Sequence, residues 1–376
     1  MGKEIELSSV ITDIAAGPFG SNLKVECFVP YGFPIIDGAN LKGYKVTDNL
    51  TKFVTEEKAR SLSRSIARRG DVVVTISGTL GQIAYIPEDS TFEEYLCSQR
   101  QFRVSFDTSQ VYVPYLVFYF HTFEGQNKIL SFANQTGVPA LSQPLKNFKK
   151  IRLCLPDYRT QKKIASIIEA FNDKIECNQK INDNLQQQAQ AIYTSMFINS
   201  ADPAWRQGHL SDLITVKYGK DHKKLSNGCY PVYGSGGIMR YVERPLYDKE
   251  SVLIPRKGTL NNVIYVNQPF WSVDTMFYTE MRLPNVAKYV FHFIKSKDLA
   301  SMNAGSAVPS MTTDILNAIE VAIPSAQDLE KFETLVSPLY RAVQKNNIQS
   351  AKLAELRDTL LPKLMSGELD VAHIRF

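Results

Sequence analysis

From Tyr158 to Phe197 the chain has neither Gly nor Pro, and its apolar residues return in alternating steps of four and three. The series is Ile164, Ile168, Phe171, Ile175, Asn178, Asn182, Leu185, Ala189, Ile192 and Met196. That spacing predicts a helix whose seam faces a second helix, a rod of roughly 60 Å for about 40 residues. The same steps recur later, at Phe332, Val336, Leu339, Val343, Asn346, Ser350, Leu353, Arg357, Leu360 and Leu364. Asn178 and Asn346 hold the same place in the two series, each with a polar residue four on (Asn182, Ser350). Buried Asn is a device that sets register at a cost in stability, so the pairing favours a matched helix pair over two helices of an ordinary bundle. Pro338 should kink or restart the second rod.

Between the rods lies a segment that leaves the first near Ser200 and enters the second after Pro324. If compact, it returns the chain to one tip, and the rods run antiparallel. The sequences outside the rods also repeat. LSSVITDIAAGPFGSNL (from Leu7) and LSDLITVKYGKDHKKL (from Leu210) share an LSxxIT beginning, and GFPIIDGANLKG (from Gly32) and CYPVYGSGGIMR (from Cys229) each read as a short apolar strand falling into a Gly-rich loop. GDVVVTISGTLGQIAYI (from Gly70) lies over ESVLIPRKGTLNNVIYV (from Glu250), each reading as strand, tight loop, strand. VPYLVFYFHT and VAKYVFHFIK read as buried helices, and each copy closes on a strand and a Pro, Pro156 or Pro324. The expected fold is α+β, two mixed α/β domains separated by two long antiparallel helices with a pseudo-twofold internal repeat. Its divisions are 1–156 and 200–324 for the domains, 157–199 and 325–376 for the helices.

Composition and charge refine this picture. The 376 residues carry a net charge of +5. Residues 1–156 hold 17 Lys/Arg against 15 Asp/Glu and residues 200–324 hold 14 against 11, whereas the rods balance at 5 against 5 and 7 against 7. The excess thus sits in the globular parts, which suits domains that meet a polyanion and rods that meet protein. No stretch nears twenty apolar residues and the start has no signal-peptide core, so a soluble, cytoplasmic protein with no membrane contact is expected. The five cysteines are scattered without a CxxC and are expected to be reduced thiols.

Catalytic patterns are missing. There is no GxxxxGK[ST] loop, HExxH or cysteine cluster, and the five histidines show no metal spacing, so no catalytic residue and no metal ligand is assigned. His292, within a helical apolar run, reads as a packing residue. Gly234-Ser235-Gly236-Gly237 lacks the spacing of a nucleophile elbow and reads as a turn. Asp202-Pro203-Ala204-Trp205 lacks the second Pro of an amino-methyltransferase tetrad and reads as a linker.

The repeated loops are rich in Gly, Ser, Thr, Asn and Gln with Arg and Lys interleaved. Such groups can contact bases, Arg or Lys towards guanine and Asn or Gln towards adenine, while small residues let backbone amides approach phosphates. The candidate DNA-binding residues are Asn40, Ser77, Thr79, Gln82, Gln99, Arg100, Gln135 and Thr136 in the first copy. Those of the second are Ser235, Arg240, Arg256, Lys257, Thr259, Asn261 and Ser306. Taken singly, each is more readily an ordinary surface residue; the set, appearing twice on two mildly basic lobes, favours contact. Two unlike readers held by a fixed rod pair would meet double-stranded DNA at two differing half-sites, with a spacer of roughly one helical turn.

The layout resembles the specificity (S) subunit of type I restriction–modification systems. The resemblance covers essentially the whole chain, and its most specific piece is LRDTLLPKLMSGEL (from Leu356), with GPFGSNLK (from Gly17) and IRLCLPDYRTQKKIASII (from Ile151) also similar. Where the family usually has Glu-Gln at the strand–helix junction, this chain has Thr160-Gln161 and Asp328-Leu329. The resemblance implies a non-catalytic subunit with two target-recognition domains. It would recognise DNA for two methylation (M) subunits that use S-adenosylmethionine, and join restriction (R) subunits that translocate DNA. S-adenosylmethionine, ATP and Mg2+ would then belong to the partner subunits, with no cofactor in this chain. A non-enzymatic protein–protein scaffold with two ligand-binding lobes is the alternative, and an autonomous methyltransferase lacks its cofactor motif.

Overall fold

The strand Val72–Thr75 is buried at every position and lies between two neighbours, as a run of β-branched residues covered on both faces should. It belongs to an antiparallel sheet ordered Ile11–Ala16, Gln101–Phe106, Val72–Thr75, Ile83–Tyr85. The second copy builds the same sheet in the same order from Ile214–Tyr218, Met276–Met281, Ser251–Pro255 and Ile264–Val266. The computed structural model describes residues 2–134, 138–302 and 310–371.

The duplication extends to the other strands. Phe33–Ile36 runs parallel to Glu94–Cys97 and antiparallel to Phe53–Val54; Asn227–Gly234 runs parallel to Trp271–Ser272 and antiparallel to Gly237–Val242. Each copy is closed by pairing its first strand with its last, Lys3–Glu6 with Arg152–Leu155 and Arg206–His209 with Glu320–Ile323. Pro156 and Pro324 follow those last strands, and the long helices Tyr158–Tyr193 and Ala326–Ser366 begin directly after.

The chain forms two compact units, Met1–Glu176 with Gln349–Phe376, and Cys177–Ile348. Each therefore combines one lobe with part of both long helices. In the first unit Ile164 and Ile168 share a core with Leu361 and Leu364, together with the helix Val113–Phe120. In the second, Tyr193, Phe197, Phe332 and Val336 pack into the core around Ala287–Lys295. Both lobe helices are apolar around most of their circumference, the pattern of a fully buried helix. Ala287–Lys295 carries two buried polar residues, His292 and Lys288, the latter against Glu250 at 3.0 Å and Glu333 at 2.7 Å.

Within each unit the long helices are antiparallel. Asn172 accepts from Arg357 at 2.8 Å in the first unit, while Ile164 shares the core with Leu364. In the second, Asn346 Nδ2 donates to Asn182 Oδ1 at 2.9 Å and Asn182 Nδ2 to Asn347 Oδ1 at 2.8 Å, with Phe332 against Phe197. Asn178 and Asn182 are buried, and Asn178 reaches the Asn346 carbonyl at 3.5 Å. The seam is sealed at Ile168 and Val336 but only half-buried at Phe171, Ile175, Leu185, Ile192, Leu339, Val343, Leu353 and Leu360.

Two expectations change. The second helix does not restart at Pro338 but runs unbroken from Ala326 to Ser366. Pro338 and Thr334, whose carbonyl loses its helical partner there, are both exposed, so that carbonyl is not left orphaned in a core. Nor is Asp202–Trp205 a free linker. Trp205 is buried beside Phe197, and its indole N–H donates to Asp328 Oδ2 at 3.1 Å, fixing the junction between helix and lobe. The first long helix ends in a π-helical turn, Thr194–Asn199.

Candidate nucleic-acid interface

Strand order alone brings a set of loops together in each lobe. The loop between Val72–Thr75 and Ile83–Tyr85 carries Ser77, Thr79 and Gln82, with Gly78 and Gly81 at φ +97° and +85°. Its backbone is tied to the next loop by Ile76 N–H to the Arg100 carbonyl (2.6 Å), and to another by Leu141 N–H to the Ile76 carbonyl (2.8 Å). The second lobe repeats both ties. Arg256 N–H donates to the Thr275 carbonyl at 2.8 Å, Met311 N–H to the Arg256 carbonyl at 2.9 Å, and Gly258 stands at φ +84°. L side chains are strained at such φ values, which explains the shared Gly of the two Gly-Thr-Leu loops.

The loop after the first sheet strand joins each set. Gly17 N–H donates to the Gln101 carbonyl at 2.8 Å and Gly219 N–H to the Met276 carbonyl at 3.1 Å. A Cβ at Gly17 would collide with the Ser98 carbonyl, and one at Gly219 with the Val273 carbonyl. These glycines are equivalent. The strand Ile11–Ala16 carries one residue more than Ile214–Tyr218, and its pairing is irregular between Ile11 and Asp13.

In the first cluster Thr79 and Arg100 are exposed, and Ser77 is half-buried in a bridge to Ala140. Gln99 is exposed, yet its Nε2 donates to the carbonyls of Gly20 and Leu23, both at 2.7 Å, and so clamps the GPFGSNLK loop. Phe19 projects from that loop with 83% of its surface exposed. Gln82 donates to the Gly38 carbonyl at 2.9 Å and accepts from Thr75 at 3.1 Å. Asn40 is buried, accepting from Asp37 N–H and donating to the Thr47 and Asn49 carbonyls. Its amide shapes the loop and does not face solvent, so direct base contact by Asn40 would require breaking that loop. Burial pushes the nearby Asp37 carboxyl up, but the Lys52 ion pair at 2.6 Å and the Ala39 amide hold it below its ordinary value.

In the second cluster Lys257 and Thr259 are exposed. Arg256 lies over the exposed Tyr218 ring at 5.4 Å and donates to the Asp274 carbonyl at 3.3 Å. The Ser235 carbonyl accepts from Asn262 Nδ2 at 2.8 Å, bringing the turn between Asn227–Gly234 and Gly237–Val242 against the Gly258 loop. Asn261 is exposed but holds Asp298 and Ala300 N–H at 3.0 and 3.1 Å. Arg240 turns away, its Nη2 donating to the Leu225 carbonyl at 2.6 Å. Gln135, Thr136 and Ser306 lie outside the described residues.

Exposed residues that the sequence does not single out are Tyr218, at the end of the strand Ile214–Tyr218, and Phe19, Lys220, Lys223 and Lys224 on the loops that follow the first sheet strands. Tyr218 could have been found as the residue before the structurally required Gly219. Among the described residues no His, Cys, Asp and Glu cluster could hold a metal ion, and no helix is long and apolar enough to cross a membrane.

Three comparisons agree with this geometry. A specificity subunit of the type I restriction enzyme MjaIX from Methanocaldococcus jannaschii is 21% identical over 364 residues, covering 85% of this chain and 82% of that protein. The HindI specificity subunit from Haemophilus influenzae is 23% identical over 331 residues, covering 58% of this chain and 69% of its own. The crystal structure of the S subunit of a type I restriction–modification system from M. genitalium shares the fold, with a TM-score of 0.61, 17% identity and 96% coverage of both chains. The profile of the type I restriction modification DNA specificity domain matches residues 27–187 and 204–353. One match falls on each copy of the repeat, and the chain belongs to the type I restriction–modification DNA specificity family.

Proposed function

We propose that this chain is the non-catalytic DNA-recognition subunit of a type I restriction–modification assembly and that each lobe reads one part of a bipartite, asymmetric target. The observation that carries this is the pair of loop clusters. They hang on the same strands and backbone ties yet present different side chains, Thr79, Gln99 and Arg100 in one, Arg256 on Tyr218 with Lys257 and Thr259 in the other. Equivalent frames with unlike contacts suit two unlike half-sites. Arg and Lys supply phosphate attraction and guanine contact, and the Gly-rich turns bring backbone amides close to the duplex.

The chain's partners would be double-stranded DNA, two methylation subunits and restriction subunits, with S-adenosylmethionine, ATP and Mg2+ used by those subunits in the cytoplasm. Docking on the long helices is supported by exposed apolar side chains, Ile181, Leu335 and Ile348 in one unit and Leu356 in the other.

The test is selection from a random-sequence DNA pool with the full chain and its methylation subunits. A two-part sequence of fixed spacing is expected, with affinity falling steeply as salt rises. Replacing the loop residues of one lobe should change one part only. Failure to enrich any sequence, with partner capture intact, would support the scaffold reading instead.

A further inference from the structure

The strand Gly237–Val242 lies at the edge of its sheet, ordered Gly237–Val242, Asn227–Gly234, Trp271–Ser272. Three of its residues are apolar or aromatic and open to solvent, Ile238 at 49%, Met239 at 60% and Tyr241 at 50%. The strand is bulged at Met239, between the Val232 and Tyr233 pairings, and Arg240 is turned to the Leu225 carbonyl, yet these three side chains stay exposed, and such an apolar cluster marks a contact surface. The counterpart in the first lobe, Phe53–Val54, is half-buried or buried and has no such face.

The surroundings say what covers it. The tip of this ribbon, Ser235, is bonded to Asn262 in the Gly258 loop, and Trp271–Ser272 pairs beside it with Val232 and Tyr233, so the ribbon is the outer edge of a three-stranded sheet in the lobe's candidate interface. Its flank is the loop carrying the exposed Lys220, Lys223 and Lys224, bound to the ribbon by Arg240 Nη2 to the Leu225 carbonyl (2.6 Å) and Glu243 N–H to the Ser226 carbonyl (3.1 Å). Those cations outnumber the acids beside them, Asp221 and Glu243. An apolar strip bordered by ammonium groups complements a polyanion with an apolar inner surface.

We infer that this ribbon enters the DNA major groove and that Ile238 and Met239 read a thymine through its C5-methyl group. The strands of a sheet can read the major groove, and the thymine methyl is the apolar feature of that groove which such side chains can recognise. The lysines then sit over the flanking phosphates. Met239 lies over Gly234, its Sδ 2.6 Å from where a Cβ on that residue would stand. This inference rests on the DNA-recognition reading and assigns a base feature to one lobe.

The experiment uses the full chain with its methylation subunits and the target returned by pool selection. Each thymine of the target is replaced in turn by deoxyuridine, which removes the methyl and leaves the pairing intact. One thymine is expected whose replacement weakens binding about fourfold, the worth of one buried methyl group. That penalty should vanish in Met239→Ala or Ile238→Ala, each checked for an unchanged thermal midpoint. If no deoxyuridine weakens binding, or if the penalty persists in both variants while the target is still selected, the inference is overturned and DNA recognition stands. Loss of partner capture in the variants, with DNA selection unchanged, would assign the strip to a protein. No selected sequence at all would overturn both readings.

Discussion

Ser235 and Gly258 meet across two loops of the second lobe, and a Cβ built on Gly258 would lie 2.7 Å from Ser235 Oγ. Gly258 also stands at φ +84°. Gly258→Ala thus adds backbone strain and pushes the two loops apart, for a loss of about 1–3 kcal/mol. The expected result is a lower denaturation midpoint together with altered selection at one half-site, measured by melting and by pool selection on the same preparation.

Removing the Gln99 amide should free the loop from Gly17 to Lys24 without disturbing the core, because Gln99 is exposed and its Nε2 donates to the Gly20 and Leu23 carbonyls. Gln99→Ala is expected to raise hydrogen exchange across that loop and to weaken selection at the half-site other than the one affected by Gly258→Ala. Midpoint stability should shift by no more than about 1 kcal/mol.

The buried Asn182 joins both Asn346 and Asn347 of the facing helix segment. Asn182→Ala removes both bonds and leaves the half-buried Asn346 amide without its acceptor, while the exposed Asn347 turns to solvent, which costs about 1 kcal/mol. Asn182→Leu with Asn346→Leu should recover or exceed the original midpoint in urea, because apolar packing replaces the polar set. The recovered variant is expected to lose uniqueness of register, visible as broadened resonances or altered cross-linking between engineered cysteines in the two helices.

His292 is buried, with Nδ1 at 2.8 Å from Gln190 Oε1 and Nε2 at 2.9 Å from the Tyr340 hydroxyl. The amide oxygen accepts from Nδ1–H, so Nε2 accepts from the phenol and the ring is neutral. Burial, helped by Lys295, pushes its pKa from 6.5 down to about 4. The unfolded chain therefore takes up the proton first as the medium is acidified. The stability of neutral burial is complete above about pH 6.5 and falls away as pH drops towards 4, by up to about 3 kcal/mol. Melting between pH 7 and pH 4 should show that decline, and His292→Gln should flatten it at the cost of a lower midpoint at pH 7.

Much of this architecture is legible in the residues, and the exceptions have physical causes. The two rods announce themselves because a 36-residue helix and a 41-residue helix repeat their apolar seam many times. The Gly-Thr-Leu loops are visible because both need glycine at positive φ, at Gly78 and Gly258. The equivalence of Gly17 and Gly219 is hidden by the extra residue in the strand Ile11–Ala16, which breaks the numbering but not the pairing. Trp205 follows a Pro and so looks like linker, although a buried indole pinned to Asp328 decides otherwise. The polar candidates divide in a way no pattern reveals. Asn40 and Gln82 turn their amides inwards to shape loops, whereas Thr79, Arg100, Lys257 and Thr259 face outwards. Whether an amide is spent on its own backbone depends on tertiary distance, which local sequence does not encode.

Each lobe is zipped shut by pairing its incoming strand with its outgoing one, Lys3–Glu6 with Arg152–Leu155 and Arg206–His209 with Glu320–Ile323. A body whose two covalent attachments emerge side by side behaves as a cassette, since its interior can be exchanged while the hinge of two short strands is kept. Grafting a foreign insert between Glu6 and Arg152, or between His209 and Glu320, should then give a chain with a hybrid reading frame on DNA and an unaltered helical spine. New binding vocabulary could in this way arise by recombination, one word at a time.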